Sequence, residues 1–266
     1  MTRSAAQPLT LLPLAGCLFF GLAPAEARAE AEQQLEYDLR IDGQKIGSRT
    51  LLIRYLPADV EAGGGETRIL TSTLALDAVV GPQRWTLQSR CSAVASDRTS
   101  SFTCAVRENG SLREVSARRQ PDGSWAGTIT DDKQKASYTW RRSEVTLSSM
   151  DLADPVLHAQ LYDGPSAGLL VTEAGVAVPG AVQDGGEAEL KVGGQSITVH
   201  RYTWTPSTGK MSFSYSNEGL LLAYELAALG KTVTAVVKSL PAPRDFGDVQ
   251  MVPFGGENTV VREEPL

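Results

Sequence analysis

Apolar and polar positions alternate with a period of two through most of this chain. The stretch "YDLRIDGQKIGSRTLLIRY" (37–55) shows the unit: alternation, then Asp42-Gly43, then alternation again. Such a pattern puts every second side chain on the same face of a strand, and Asp-Gly supplies the positive φ that a tight hairpin turn needs. Turn chemistry recurs at Asn109-Gly110, Pro121-Asp122-Gly123, Gly193-Gly194, Ser207-Thr208-Gly209, Asn217-Glu218-Gly219 and Leu229-Gly230. Short strands separated by these turns predict an all-β protein with one short helix. Its sheet is expected to be antiparallel and strongly curved, a β-roll or half-open barrel.

The second half carries the clearest pattern. Hairpin turns near 205–210, 216–219 and 228–231 put His200, Tyr202 and Trp204 on one face with Met211, Phe213 and Tyr215. Leu220, Leu222, Tyr224 and Leu226 continue that face, and Val233, Ala235 and Val237 close it. Arg201, Thr203, Ser212, Ser214, Glu225, Thr232 and Thr234 fall on the other. The polar face is expected to meet solvent and the aromatic face a core or a cavity.

One segment departs from the alternation. In "SSMDLADPVLHAQLYDG" (148–164), Asp154 is placed to cap a helix, Pro155 to begin it and Asp163-Gly164 to end it. A short helix near 154–162 follows, with Val156, Leu157 and Leu161 as its apolar stripe. It separates a first β half from a second.

Cys91 and Cys104 flank the turn signal at Asp97-Arg98. A hairpin with its tip there sets Ser96 opposite Thr99, Ala93 opposite Phe102 and Cys91 opposite Cys104. Outside the cytoplasm the pair reads as a cross-strand disulfide; the alternative is two buried thiols.

The N-terminus bears on compartment. Arg3, the apolar run at 8–24 and the small residues Ala27 and Ala29 have the layout of a signal peptide over 1–29, cleaved after Ala29. A rival reading takes Leu14–Cys17 as a lipobox, with a lipid on Cys17, but the apolar run continues past that cysteine. No other stretch is long and apolar enough to span a membrane. The expectation is a soluble periplasmic protein with one domain over 30–244 and a partly unstructured tail over 245–266. The net charge of −6 argues against a nucleic-acid partner or an anionic membrane surface.

Two motifs carry a resemblance. Tyr37, Gly43 and Ile46-Gly47 form an opening Y-x-x-x-x-x-G-x-x-I-G. Tyr215, Gly219-Leu220-Leu221 and Tyr224-Glu225 form a closing Y-x-x-x-G-L-L-x-x-Y-E. On these the chain resembles exported bacterial β-roll proteins of unknown function, over about residues 34–240. The resemblance implies a periplasmic, twisted antiparallel sheet wrapped around a helix, with no established catalytic site. It is similar in spirit to lipoprotein-carrier folds, whose half-open sheets shelter acyl chains.

Candidate chemistry is sparse. The chain has two histidines, His158 and His200, and neither sits in a ligand-spaced cluster. Asp151 and Asp154 near His158 suit capping better than a metal, and no cofactor motif is present. There is no G-x-S-x-G nucleophile and no glycine-rich phosphate loop between strand and helix. His200, Tyr202, Trp204, Phe213, Tyr215 and Tyr224 are candidates to line a ligand cavity, with Tyr138 and Trp140 as a further wall and Arg141-Arg142 as a basic rim. The expected partner is a hydrophobic or amphipathic small molecule, such as a lipid, held by a periplasmic carrier. One alternative is a periplasmic hydrolase, lyase or isomerase using His200, Tyr202 and Tyr215 for acid–base work. The other is an envelope interaction protein whose sheet edge or tail docks to a partner.

Overall fold

The computed structural model describes residues 31–56, 66–132, 134–163, 166–207, 209–228 and 230–242. The signal-peptide, lipobox and tail expectations lie outside them.

Among the described residues, fifteen strands form one sheet. The first half supplies β1 (Ala31–Ile41), β2 (Gln44–Leu56), β3 (Thr67–Val80), β4 (Gln83–Ala95), β5 (Thr99–Glu108), β6 (Ser111–Arg119), β7 (Trp125–Asp131) and β8 (Gln134–Trp140). A two-residue β9 (Leu147–Ser148) and two 3₁₀ helices, Asp151–Ala153 and Leu157–Asp163, follow. The second half supplies β10 (Ser166–Val171), β11 (Val176–Val192), β12 (Gln195–Pro206), β13 (Met211–Tyr215), β14 (Leu221–Ala228) and β15 (Lys231–Val237). Their order is β8-β7-β6-β5-β4-β3-β2-β1-β15-β14-β13-β12-β11-β10-β9. Each half is a meander of hairpins, and β1 joins them by pairing antiparallel with β15, Tyr37 opposite Val237. Among the described residues, only the β9–β10 pair is parallel. The all-β, antiparallel expectation holds, and the sheet is not closed: β8 and β9 are its edges.

The turn chemistry acts as expected. Asp42 and Gly43, and likewise Asn109 and Gly110, all have positive φ, the geometry that lets a two-residue turn follow the twist of its strands. Cys91 pairs with Cys104 and Ala93 with Phe102, and the two cysteines are disulfide-bonded. The tip of that hairpin differs from the simple register. An irregularity between Val94 and Ala95 pairs Thr99 with Ala95, so Ser96 leaves the ladder and donates its N–H to the Arg98 carbonyl.

The central segment holds the sheet in a curl. Thr99 on β5 hydrogen-bonds the Asp151 carboxylate, and Tyr215 on β13 donates to the carbonyl of the adjacent Leu152. β5 and β13 are seven strand spacings apart in the sheet order, which in a flat sheet is roughly 34 Å. Neighbouring residues reach both strands only because the sheet wraps around them. Met150, Leu152, Ala153, Leu157 and Leu161 are buried inside the curl.

The expected helix is therefore a pair of 3₁₀ helices. Asp154 lies between them and caps the second: its Oδ1 accepts the amides of Val156 and Leu157. Val156 lies before the second helix and is 55% exposed, so it falls out of the apolar stripe, while Leu157 and Leu161 pack inward. The outer face of the second half is also less wet than its pattern suggests, since Thr203 and Ser214 are buried.

Candidate functional site

Two regions gather the sequence candidates. The first is the aromatic face of β12–β14. Its register follows the pattern: His200 faces Tyr215, Tyr202 faces Phe213, Trp204 faces Met211, and Phe213 faces Tyr224. Tyr202, Trp204, Phe213, Tyr215 and Tyr224 are all buried, and the structure packs them. The Trp204 indole N–H donates to the Ala167 carbonyl at 3.0 Å, and the Tyr215 hydroxyl donates to Leu152 at 2.9 Å. Tyr224 packs 5.9 Å from the Tyr37 ring, and the Arg49 guanidinium lies over both rings. Arg49 also donates to the Ser72 hydroxyl. Trp204 and Tyr215 thus have their polar tips tied to backbone, the usual arrangement for a buried Tyr or Trp.

Both histidines flank Tyr215. His158 stacks on its ring with centroids 4.2 Å apart, and His200, opposite it on β12, packs on Tyr202 at 4.7 Å. His158 is buried, and loss of hydration pulls its pKa below 6.5. Neither nearby carboxylate turns to it. Asp154 pairs with Arg68, while Asp151 takes hydrogen bonds from Thr99 and the Ser148 amide. His200 keeps about a third of its side chain exposed and meets the Asp184 carboxylate through Nε2 at 2.7 Å. The Asp184 pKa is lowered, first by the Gly186 amide and then by His200. Asp184 sits beside an irregularity in the β11–β12 ladder, and no spacing in the sequence pointed to it.

The second region is a groove of about 870 Å³ between the inner face of β8 and the β10–β11 ribbon. Tyr138 and Trp140 form one wall, stacked with centroids 5.9 Å apart and planes 18° apart. Trp140 is buried and Tyr138 is 45% exposed. The other wall is built of small residues, among them Ala167, Gly168, Ala177, Gly180 and Ala181. Backbone comes very close here: a Cβ on Gly168 would collide with the Glu144 carbonyl, and one on Gly180 with the Trp204 indole. The ribbon is held against the opposite side of the curl, where Gly175 in its turn packs on Ile129 and Val115. Among the described residues, the groove's lining holds one carboxylate, Glu144, whose Oε2 accepts the Arg141 amide. Arg142 runs along Gly123.

The structure thus separates the candidates. Tyr138 and Trp140 border open space, while the Tyr202, Trp204 and Tyr215 group forms an interior. Pattern reading missed the small-residue wall, because Ala and Gly in "VAVPGAVQDGG" carry no chemistry of their own. Among the described residues, no three His, Cys, Asp or Glu side chains stand together as a metal site. No helix among them is long and apolar enough to cross a membrane.

No family model matches the chain, and no curated protein matches it. Among solved structures, it is similar to a β-barrel-like protein of the domain of unknown function DUF1849 from Brucella abortus. The TM-score is 0.54 at 8% identity, over 79% of this chain and 96% of that one. A porin-like protein from Bacteroides uniformis, 12% identical, aligns with a TM-score of 0.17, too low to carry an argument. At such identity the Brucella likeness is one of fold, and what it establishes is that this chain has a barrel-like, all-β architecture.

Proposed function

We propose that this protein is an exported binding protein, a carrier that holds a hydrophobic or amphipathic small molecule in the groove between β8 and the β10–β11 ribbon. The observation that carries the reading is the groove itself. Its volume of about 870 Å³ falls within the usual range for small-molecule sites. An aromatic wall faces a wall of Ala and Gly, so a flat ring or an acyl chain can lie between them without displacing a side chain. The exposed flank of Tyr138 is apolar surface that such a ligand would cover. The amphipathic part of the reading rests on the polar groups at the groove, Ser143, Glu144, Thr146 and Ser166. The periplasmic setting rests on the signal-like N-terminus and on the Cys91–Cys104 disulfide.

Mass spectrometry of protein gently purified from its own periplasm, first native and then solvent-extracted, tests this. A stoichiometric hydrophobe that is absent from an Ala181→Trp variant supports the carrier. Protein that is ligand-free and fails to take up a fluorescent fatty acid overturns it.

A second reading, an acid–base enzyme, has one specific observation in its favour: the His200–Asp184 contact at 2.7 Å, which orients an imidazole at a partly open position. If His200→Ala leaves the cellular phenotype of the wild type intact, that assignment is wrong.

A further inference from the structure

We propose that β8 is the contact strand of a two-fold dimer of this chain, pairing antiparallel with β8 of a second copy about Ser137. The two edges of the sheet are treated differently. β9 is blunted to two residues, Leu147 and Ser148, both fully buried. β8 runs for seven residues, "QKASYTW", and the first six are exposed. It pairs with β7 through a ladder without irregularity. It has no proline and no bulge, and its one charge, Lys135, shares the outer face with Ser137. Among the described residues, the hydrogen bonds of its backbone all belong to the β7 ladder. Natural edge strands are usually protected by shortness, bulges, proline, a covering element or charge, and of these β8 has only the single Lys135. An edge of this length, guarded by one charge, has a row of unmet N–H and C=O groups that an extended backbone satisfies.

The sequence of β8 points to itself as the partner. Antiparallel pairing about Ser137 sets Ser137 opposite Ser137, Lys135 opposite Thr139, Ala136 opposite Tyr138 and Gln134 opposite Trp140. No like charges meet, which removes the main cross-strand penalty, and each large ring lies across from a smaller side chain, so two rings are never directly opposed. Because opposed residues share a face, both Tyr138 rings stay on the inner side, each still bordering its own groove. The two grooves then lie on one side of a continuous sheet. A two-fold interface of this kind is self-complementary and closed, so it ends at a dimer rather than a fibre. Neither the pairing nor its test depends on what fills the groove.

Ser137 is the residue to change, since it is exposed in one copy and meets itself in the pair. Analytical ultracentrifugation of the mature chain should show two-chain particles, and Ser137→Lys should give one-chain particles at the same concentration. Ser137→Cys should form a covalent dimer under oxidising conditions, whereas Thr128→Cys, on the same outer face of interior strand β7, should not. A chain that sediments as a single copy at every concentration and whose Ser137→Cys variant does not cross-link overturns the proposal. So does a dimer that Ser137→Lys leaves intact, because its contact then lies elsewhere.

Discussion

Arg68 and Asp154 lie 86 positions apart in the chain and meet at 2.7 Å, with 4% and 0% of their side chains exposed. Arg68 sits on β3 and also donates to the Ser96 carbonyl in the β4–β5 turn. Asp154 uses one oxygen for Arg68 and the other to cap the second 3₁₀ helix. One ion pair thus ties the central segment to the sheet that encloses it. Removing one partner strands a buried charge, which costs about 3–5 kcal/mol. Arg68→Met should lower stability by that amount in urea unfolding. Arg68→Met with Asp154→Asn should cost less than the two single changes together. A loss under about 1 kcal/mol for Arg68→Met would mean that the pair does not hold the segment.

His158 makes folding sensitive to mild acid. Its pKa in the folded protein is lowered by burial, against 6.5 when unfolded. Above the unfolded value both states are neutral and the contribution is complete. As pH falls through 6.5 the unfolded chain takes up a proton that the folded one refuses, and stability is lost down to the folded pKa. Asp151 has the opposite sign. Burial raises its pKa above 3.8, outweighing hydrogen bonds from Ser148 and Thr99 and the nearby Arg119, so its penalty is relieved as pH falls through the folded value. Between about pH 8 and pH 5 a comparison with His158→Gln isolates the histidine, because Asp151 titrates in both chains. The wild type should lose more stability over that interval than His158→Gln; parallel curves would remove His158 as the cause.

The disulfide closes a loop between residues 13 apart in sequence. Loop-closure entropy for that length is about 3 kcal/mol. Cys91→Ser with Cys104→Ser should lower stability by roughly that much while the far-ultraviolet circular dichroism stays β-like. The hairpin keeps its register through the Ala93–Phe102 pair and its neighbours.

Gly219 turns β13 into β14 at a φ of +79°, and a Cβ there would run into the Pro155 carbonyl and the His158 ring. Gly219→Ala is strained in conformation and in space, so thermal unfolding should move down by more than the ~1 kcal/mol of a typical substitution. Gly230→Ala shares the positive φ but has no neighbour within 4 Å and should be the milder change.

In the groove, Tyr138→Ala should weaken uptake of a fluorescent fatty acid with little effect on stability, because that ring is 45% exposed. Trp140→Ala should reduce both, since that ring is also core. Unchanged uptake by Tyr138→Ala would remove the aromatic wall from the site.

What the sequence determined by itself is local. The pairing of Cys91 with Cys104 and the register of His200, Tyr202 and Trp204 against Tyr215, Phe213 and Met211 follow from a period of two and a turn a few residues away. Even there, the slip at Val94–Ala95 moved Thr99 by one partner, because the pattern does not show where an extra residue is absorbed. The alternation also told which face of β12–β14 is apolar, though not what meets it. Only the tertiary structure decided that the 3₁₀ segment fills the space before Tyr215. It likewise decided that β1 joins β15, that Arg68 finds Asp154, and that the β10–β11 ribbon stands off β8 to leave a groove. These contacts join residues far apart in the chain, and they depend on how far the whole sheet curls. That curl is a sum of twists and packing over fifteen strands, and no short window of sequence contains it.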